Sequence, residues 1–328
     1  MSWTLYLCGR RQSGPIGKLA IQRAGQGAYL RNRISPHSRA ILQALFVTFL
    51  WSTSWVLIKL GLVEIPALVF AGLRYGLAFL CLLPFALRPA NRAAVRALTL
   101  RQWLLLAGYG LLFYALVQGA QFVSLAYLPA ATVSLVLNFT SLLVAFLGGL
   151  WLAERLGLLA WFGVILSVAG GLIFFYPVLY SPAQSFGLVV AFIGMAANAL
   201  SALAGRYINH HQRIPALTVT VVSMGIGAAA LLTTGILLQG LPRLGWGSWA
   251  ILAWLAVINT AFAFTLWNHS LRTLSATQSS VINNTMLVQI AILAWVFLGE
   301  RLDAQKAAGM LLAALGTLLV QLRANKTR

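Results

Sequence analysis

The chain has 328 residues, 60% of them apolar and 8% charged, with 23 Lys and Arg against 4 Asp and Glu for a formal charge of +19. Soluble domains carry roughly 25% charged residues, so this composition excludes an ordinary soluble enzyme and a disordered chain. It also leaves too few polar residues for one large solvated basic face, which sets nucleic acid aside as a partner and leaves a polytopic helical membrane protein.

Residues 1–38 form a basic stretch with Arg10, Arg11, Lys18, Arg23, Arg31 and Arg33. It reads as a disordered cytoplasmic tail, or as residues added by an upstream start codon. Its apolar patch at 3–8 precedes the basic residues, the reverse of a signal peptide. Ten apolar runs follow, each long enough for a hydrocarbon core of about 30 Å. They lie near 41–61, 67–87, 103–123, 130–150, 158–177, 185–206, 215–238, 248–268, 277–298 and 305–322. Short Pro- and Gly-marked connections separate them. A membrane barrel would alternate in ten-residue segments, which these continuous runs do not. Residues 323–328 make a second cytoplasmic tail. Cys8 and Cys81 are too few for a disulfide framework or a Cys-based metal site.

The basic residues give the direction. With the amino terminus inside, 18 of the 23 fall in inside segments, among them Arg88, Arg92, Arg96, Arg101, Arg206 and Arg272. Lys59, Arg243, Arg301 and Lys306 fall outside, and Arg74 lies within a span. The positive-inside rule then places both termini in the cytoplasm, as an even number of spans requires.

A shift of 146 residues aligns 124–170 with 270–316 without a gap, and 15 of the 47 pairs are identical. The rarer residues recur: Ser134 with Ser280, Asn138 with Asn284, Glu154 with Glu300, Gly163 with Gly309 and Gly170 with Gly316. The chain therefore divides into repeat 1 (39–178) and repeat 2 (183–322), each of five spans. Five is odd, so the second copy enters the membrane in the opposite sense. The fold class is an all-α integral membrane protein of ten transmembrane helices, arranged as two inverted five-helix repeats. Many secondary transporters use this architecture, with the substrate site between the repeats near the midplane.

The first span reads W-S-T-S-W-V-L-I-K (51–59) and the second opens I-P-A-L-V-F-A-G-L-R-Y (65–75). The fourth helix of each repeat closes on Glu-Arg, at 154–155 and 300–301. Over about 40–322 this resembles the drug/metabolite transporter superfamily, in its EamA-type branch. The resemblance implies gradient-driven export or exchange of small metabolites across the inner membrane. It also implies a cavity built chiefly by spans 1, 3, 4, 6, 8 and 9. A lipid flippase or a non-transporting membrane sensor is the alternative.

Polar side chains in hydrocarbon face the bundle interior. The fourth span places Ala131, Ser134, Asn138, Ser141 and Ala145 on one face, and the ninth places Thr277, Ser280, Asn284 and Ala291 on the matching one. These faces serve either helix packing or a cavity wall with Asn138 and Asn284 as paired contacts. Tyr114, Gln118 and Gln121 of the third span correspond to Thr260, Phe264 and Trp267 of the eighth. Aromatic rings beside amides suit amphipathic solutes. Trp51 and Ser54 of the first span correspond roughly to Asn198 and Ser201 of the sixth. The candidate substrate contacts are thus Trp51, Ser54, Gln118, Asn138, Asn198, Trp267 and Asn284.

Lys59 and Arg74 read either as an electropositive outer vestibule or as snorkelling cations, with Lys59 against Glu64 and Arg74 seeking a carbonyl, a helix end or an anionic substrate. Glu154 and Glu300 are either helix-end residues or coupling groups. His37, His210, His211 and His269 are dispersed and make no metal site. No paired carboxylates, Ser/His nucleophile or Walker-type loop is present, so neither an enzyme nor an ATP-driven pump is expected. No cofactor is expected either. The partners are a small-molecule substrate, the lipid bilayer, and a proton or exchanged counter-solute, for a monomer or homodimer in the cell membrane.

Overall fold

Hydrocarbon offers a backbone no partner outside its own helix or a closed sheet. In a computed structural model, which describes residues 35–152, 157–177, 180–212 and 214–324, the regular structure is helical and no strand occurs among the described residues. Met1–Arg39 and Ala40–Arg328 separate as two units, and the packing below is that of the second.

The first span is Pro36–Gly61 and the second Ala67–Ala86; the third runs over Leu100–Tyr127. The fourth comprises Ala130–Asn138 and Thr140–Leu152, broken at Phe139, and the fifth is Leu158–Phe175. In the second half the spans are Pro182–His211, Ala216–Gln239, Trp246–Ala256 continuing through Ser270, Ala276–Leu298 and Ala304–Ala324. Among the described residues nine helices are long and apolar enough to cross a membrane. The eighth span contributes a shorter apolar stretch, Trp246–Phe262. One added helix, Pro89–Arg96, stands where the sequence reading has a loop. Pro89 sits in its first turn, where a missing N–H costs nothing.

Local chemistry explains the starts. Capping boxes open the third, sixth and ninth spans: Thr99 with Gln102, Ser181 with Gln184 and Ser275 with Gln278. Pro66, Pro129 and Pro215 stand at the N-caps of the second, fourth and seventh. Asp303 opens the tenth, its Oδ1 accepting from the Lys306 N–H at 2.7 Å. That N–H holds the exposed carboxyl below the usual carboxylate range.

The two repeats meet where the fifth and tenth spans cross. A Cβ on Gly163 would lie 2.7 Å from the carbonyl oxygen of Gly316, and one on Gly309 would lie 2.6 Å from that of Gly170. The index rises on one helix as it falls on the other, so the helices are antiparallel. The repeat carries Gly163 to Gly309 and Gly170 to Gly316, so the contact maps onto itself. Between the glycines Ser167 Oγ donates at 3.1 Å to the carbonyl of Ala313, its own repeat mate. This is two-fold symmetry in the packing itself, made possible by small residues that let backbones touch.

Gly170→Ala should force the two backbones apart and cost about 1–3 kcal/mol, as overpacking does. Gly108→Ala, where a Cβ meets nothing within 4 Å, should stabilise its helix by about 0.5–1 kcal/mol. Thermal melting of the two variants in detergent should therefore move in opposite directions. Equal shifts would remove the crossing's special role.

Candidate functional site

The third and eighth spans leave α-helical register midway. Leu111–Val117 and Val257–Phe262 are π-helical, and a shift of 146 residues carries 111 to 257. A π turn adds a residue, releases carbonyls from the ladder and is found mostly at functional sites. The freed groups find partners. Trp51 Nε1 donates to the Asn259 carbonyl at 3.1 Å, and Asn259 Nδ2 donates to the Leu50 carbonyl. Thr260 Oγ1 donates five residues back to Leu255 at 2.9 Å. The Trp51 ring lies 5.2 Å from Phe264 and 5.2 Å from Trp267, tilted against both. The first span is thereby held against the eighth through one indole.

A similar tie joins the first span to the ninth. Ser52 Oγ, fully buried, meets Gln289 Oε1 at 2.9 Å, and Gln289 Nε2 donates to Thr285 at 3.0 Å and Thr48 at 3.3 Å. The fourth, ninth and tenth spans converge on Thr317. Its hydroxyl accepts from Asn138 Nδ2 at 3.2 Å and from Asn284 Nδ2 at 3.4 Å. Asn284 Nδ2 also reaches the Ala314 carbonyl at 2.9 Å.

These elements enclose a cavity of about 650 Å³, within the roughly 300–1,000 Å³ usual for small-molecule sites. Six of the seven candidate contacts line it: Trp51, Ser54, Gln118, Asn138, Asn198 and Asn284. The seventh, Trp267, does not. Its ring packs against that of Trp51, with centroids 5.2 Å apart. The wall also takes in the second span, through Arg74 and Tyr75, and the tenth, through Val320 and Gln321. Asn259, Asn283 and Tyr75 were missed in the sequence reading; Tyr75 Oη donates to Gln118 Oε1 at 2.7 Å.

Arg74 is set in the cavity wall, and Lys59 is not among the described lining residues. It is 7% exposed, its Nε has no hydrogen-bond partner, and its guanidinium carbon lies 5.3 Å from the Tyr75 ring centroid and 6.0 Å from that of Phe122. Cation–π attraction offsets part of the burial. Among the described lining residues it alone carries a charge.

Lys59 and Glu300 sit at one end of the bundle. Gly299, at φ +66°, ends the ninth span in the left-handed region that glycine enters without a Cβ penalty. The turn carries Glu300 onto the start of the fourth span, where its oxygens accept from Ala130 N at 2.6 Å and Ala131 N at 3.2 Å. A carboxylate there satisfies orphan N–H groups and opposes the positive end of the helix dipole. Lys59 stands within electrostatic reach of Glu300. Glu64 accepts from Ser248 Oγ instead of pairing with Lys59. Glu154 lies outside the described residues.

The EamA-like transporter family model matches the chain twice, over residues 38–176 and 185–322. The chain belongs to the EamA-like transporter family. Similar proteins include the "Uncharacterized transporter YvbV" of Bacillus subtilis, 28% identical over 88% of this chain and 94% of that one. A "Probable amino-acid metabolite efflux pump" of Salmonella typhimurium is 27% identical over 83% of this chain and 91% of its own length. A solved crystal structure superposes with a TM-score of 0.62 at 19% identity, covering 88% of this chain and 99% of that one, and shares the fold. The protein is a multi-pass membrane transporter of ten helices in two repeats.

Glu300→Ala should leave the Ala130 and Ala131 N–H groups unpaired. Hydrogen bonds to a charged group contribute roughly 1.5–3 kcal/mol, so the melting temperature in detergent should fall by several degrees, with Glu300→Gln falling less. An unchanged melting curve for Glu300→Ala would remove the capping role.

Proposed function

We propose that this transporter moves a small metabolite across the cytoplasmic membrane by alternating access, as an exporter or exchanger. One observation carries the reading: a cavity of about 650 Å³ is lined by residues of both repeats, including the mates Asn138 and Asn284. Two related halves that meet on a two-fold contact can trade conformations about such a cavity. The printed name of the Salmonella relative, an amino-acid metabolite efflux pump, favours export and a small polar cargo.

Orientation follows from the basic residues, with both termini in the cytoplasm. On that reading the Glu300 and Glu64 contacts tie the outer end. The cavity wall reaches Gln321 in the last turns of the tenth span, toward the inner end. The conformation is then closed outside, and outward opening requires Glu300 to release Ala130 and Ala131. Glu300 serves the gate in this scheme, and the driving force is an exchanged counter-solute or a proton carried with the cargo.

Proteoliposomes preloaded with a mixture of amino-acid metabolites should show saturable counterflow by mass spectrometry. Losing one hydrogen bond of about 1.4 kcal/mol raises half-saturation tenfold, which is the size expected for Asn138→Ala and Asn284→Ala. Phospholipid scrambling without solute flux would sink the transporter reading in favour of a flippase.

A further inference from the structure

The cavity's charge identifies the kind of cargo it accepts. Arg74 is more than nine-tenths buried, its Nε has no partner, and no guanidinium nitrogen bonds to a protein acceptor among the described residues. The ion pair present among them, Lys306 with Asp303, lies elsewhere on the exposed surface. The Tyr75 and Phe122 ring centroids lie 5.3 Å and 6.0 Å from the guanidinium carbon, and ring faces are no substitute for an oxygen acceptor. A buried cation in this state leaves its hydrogen-bonding fork unused, and a fork of this shape matches a carboxylate with two parallel N–H···O bonds.

We propose that Arg74 is the anchor for a carboxylate on the transported solute, so that the cavity selects small carboxylate-bearing solutes over solutes that lack a carboxylate. The proposal rests on the transport reading above and specifies its substrate class. Charge matching favours one carboxylate over a phosphate monoester. A single guanidinium neutralises a monoanion, whereas a dianion leaves a net negative charge in a low-dielectric space. The described part of the wall brings no second cation to meet it. The rest of the described wall is neutral and includes the amides of Asn138, Asn198 and Asn284 and the ring of Trp51. These groups suit hydrogen-bonding and apolar parts of the same solute. Tyr75 stands beside Arg74 and is fixed by its 2.7 Å bond to Gln118, which holds the floor of the anion pocket in place.

The test is an untargeted comparison of extracellular metabolites from cells overexpressing the wild-type chain, Arg74→Gln, Arg74→Lys or an empty vector, with membrane abundance measured for each. Solutes whose outside level changes with the wild type should bear a carboxylate. Their change should fall at least tenfold in Arg74→Gln at equal abundance. Arg74→Lys keeps the charge without the fork and should retain the same solutes at a reduced level. If Arg74→Gln fails to reach the membrane, the lysine variant decides: an unaltered solute profile and rate would overturn the anchoring role. Solutes without a carboxylate, or carboxylates unaffected by Arg74→Gln, would overturn the proposal while leaving transport intact. Phosphorylated solutes would overturn the carboxylate assignment. No solute changed by the wild type would overturn the transport reading, and this proposal with it.

Discussion

Inside a bilayer a carbonyl released from its helix must find a donor within the protein. Much of the cavity follows from that requirement. The π segments of the third and eighth spans release backbone groups at the middle of the membrane, and Trp51 supplies the donor for one of them, the Asn259 carbonyl. The same indole packs, tilted, against Phe264 and Trp267. The first span is thus placed by a hydrogen bond and two ring contacts, and its next turn brings Ser54 and Trp55 to the cavity wall. An irregular backbone is tolerated at that depth because it is buried in protein or borders a cavity.

Symmetry and its breaking divide the labour. The fifth and tenth spans touch through four glycines in a contact that maps onto itself, and this crossing joins the halves. The polar centre is not symmetric. Asn138 and Asn284 are mates, yet both turn to one hydroxyl, Thr317. The fourth span breaks at Phe139, while its mate, the ninth, is continuous from Ala276 to Leu298. Equivalent sequences therefore hold unequal shapes in one conformation, as two halves that exchange states require.

Much of this was legible in the residues. The apolar runs and the 146-residue echo carried the ten spans and the two repeats, and small polar faces on the fourth and ninth spans led to Asn138 and Asn284. What stayed hidden has physical causes. Repeat mates share a position but not a side chain: Gln121 lines the cavity, whereas the larger, apolar Trp267 packs on the Trp51 ring. Thr317 corresponds to Gly171, so the repeat could not advertise it. Depth along a helix was readable for Arg74, but its side of the helix was not, and a vestibule and a cavity wall look alike from depth alone. Glu300 looked like a solvated helix end because its partners, two backbone N–H groups 170 and 169 residues away, leave no mark in side-chain sequence.

The hydrogen bond between Ser167 and Ala313 has an evolutionary consequence. These two positions are repeat mates that meet each other. In an assembly of two identical half-length chains, any residue placed there would face its own copy, so the seam would have to hold two side chains of the same size. Fusing the halves into one gene lifts that restriction. Serine can stand on one side and alanine on the other, as threonine stands at 317 where glycine stands at 171. A covalent tandem can therefore refine its own seam one side at a time, a freedom that a homodimer of halves lacks.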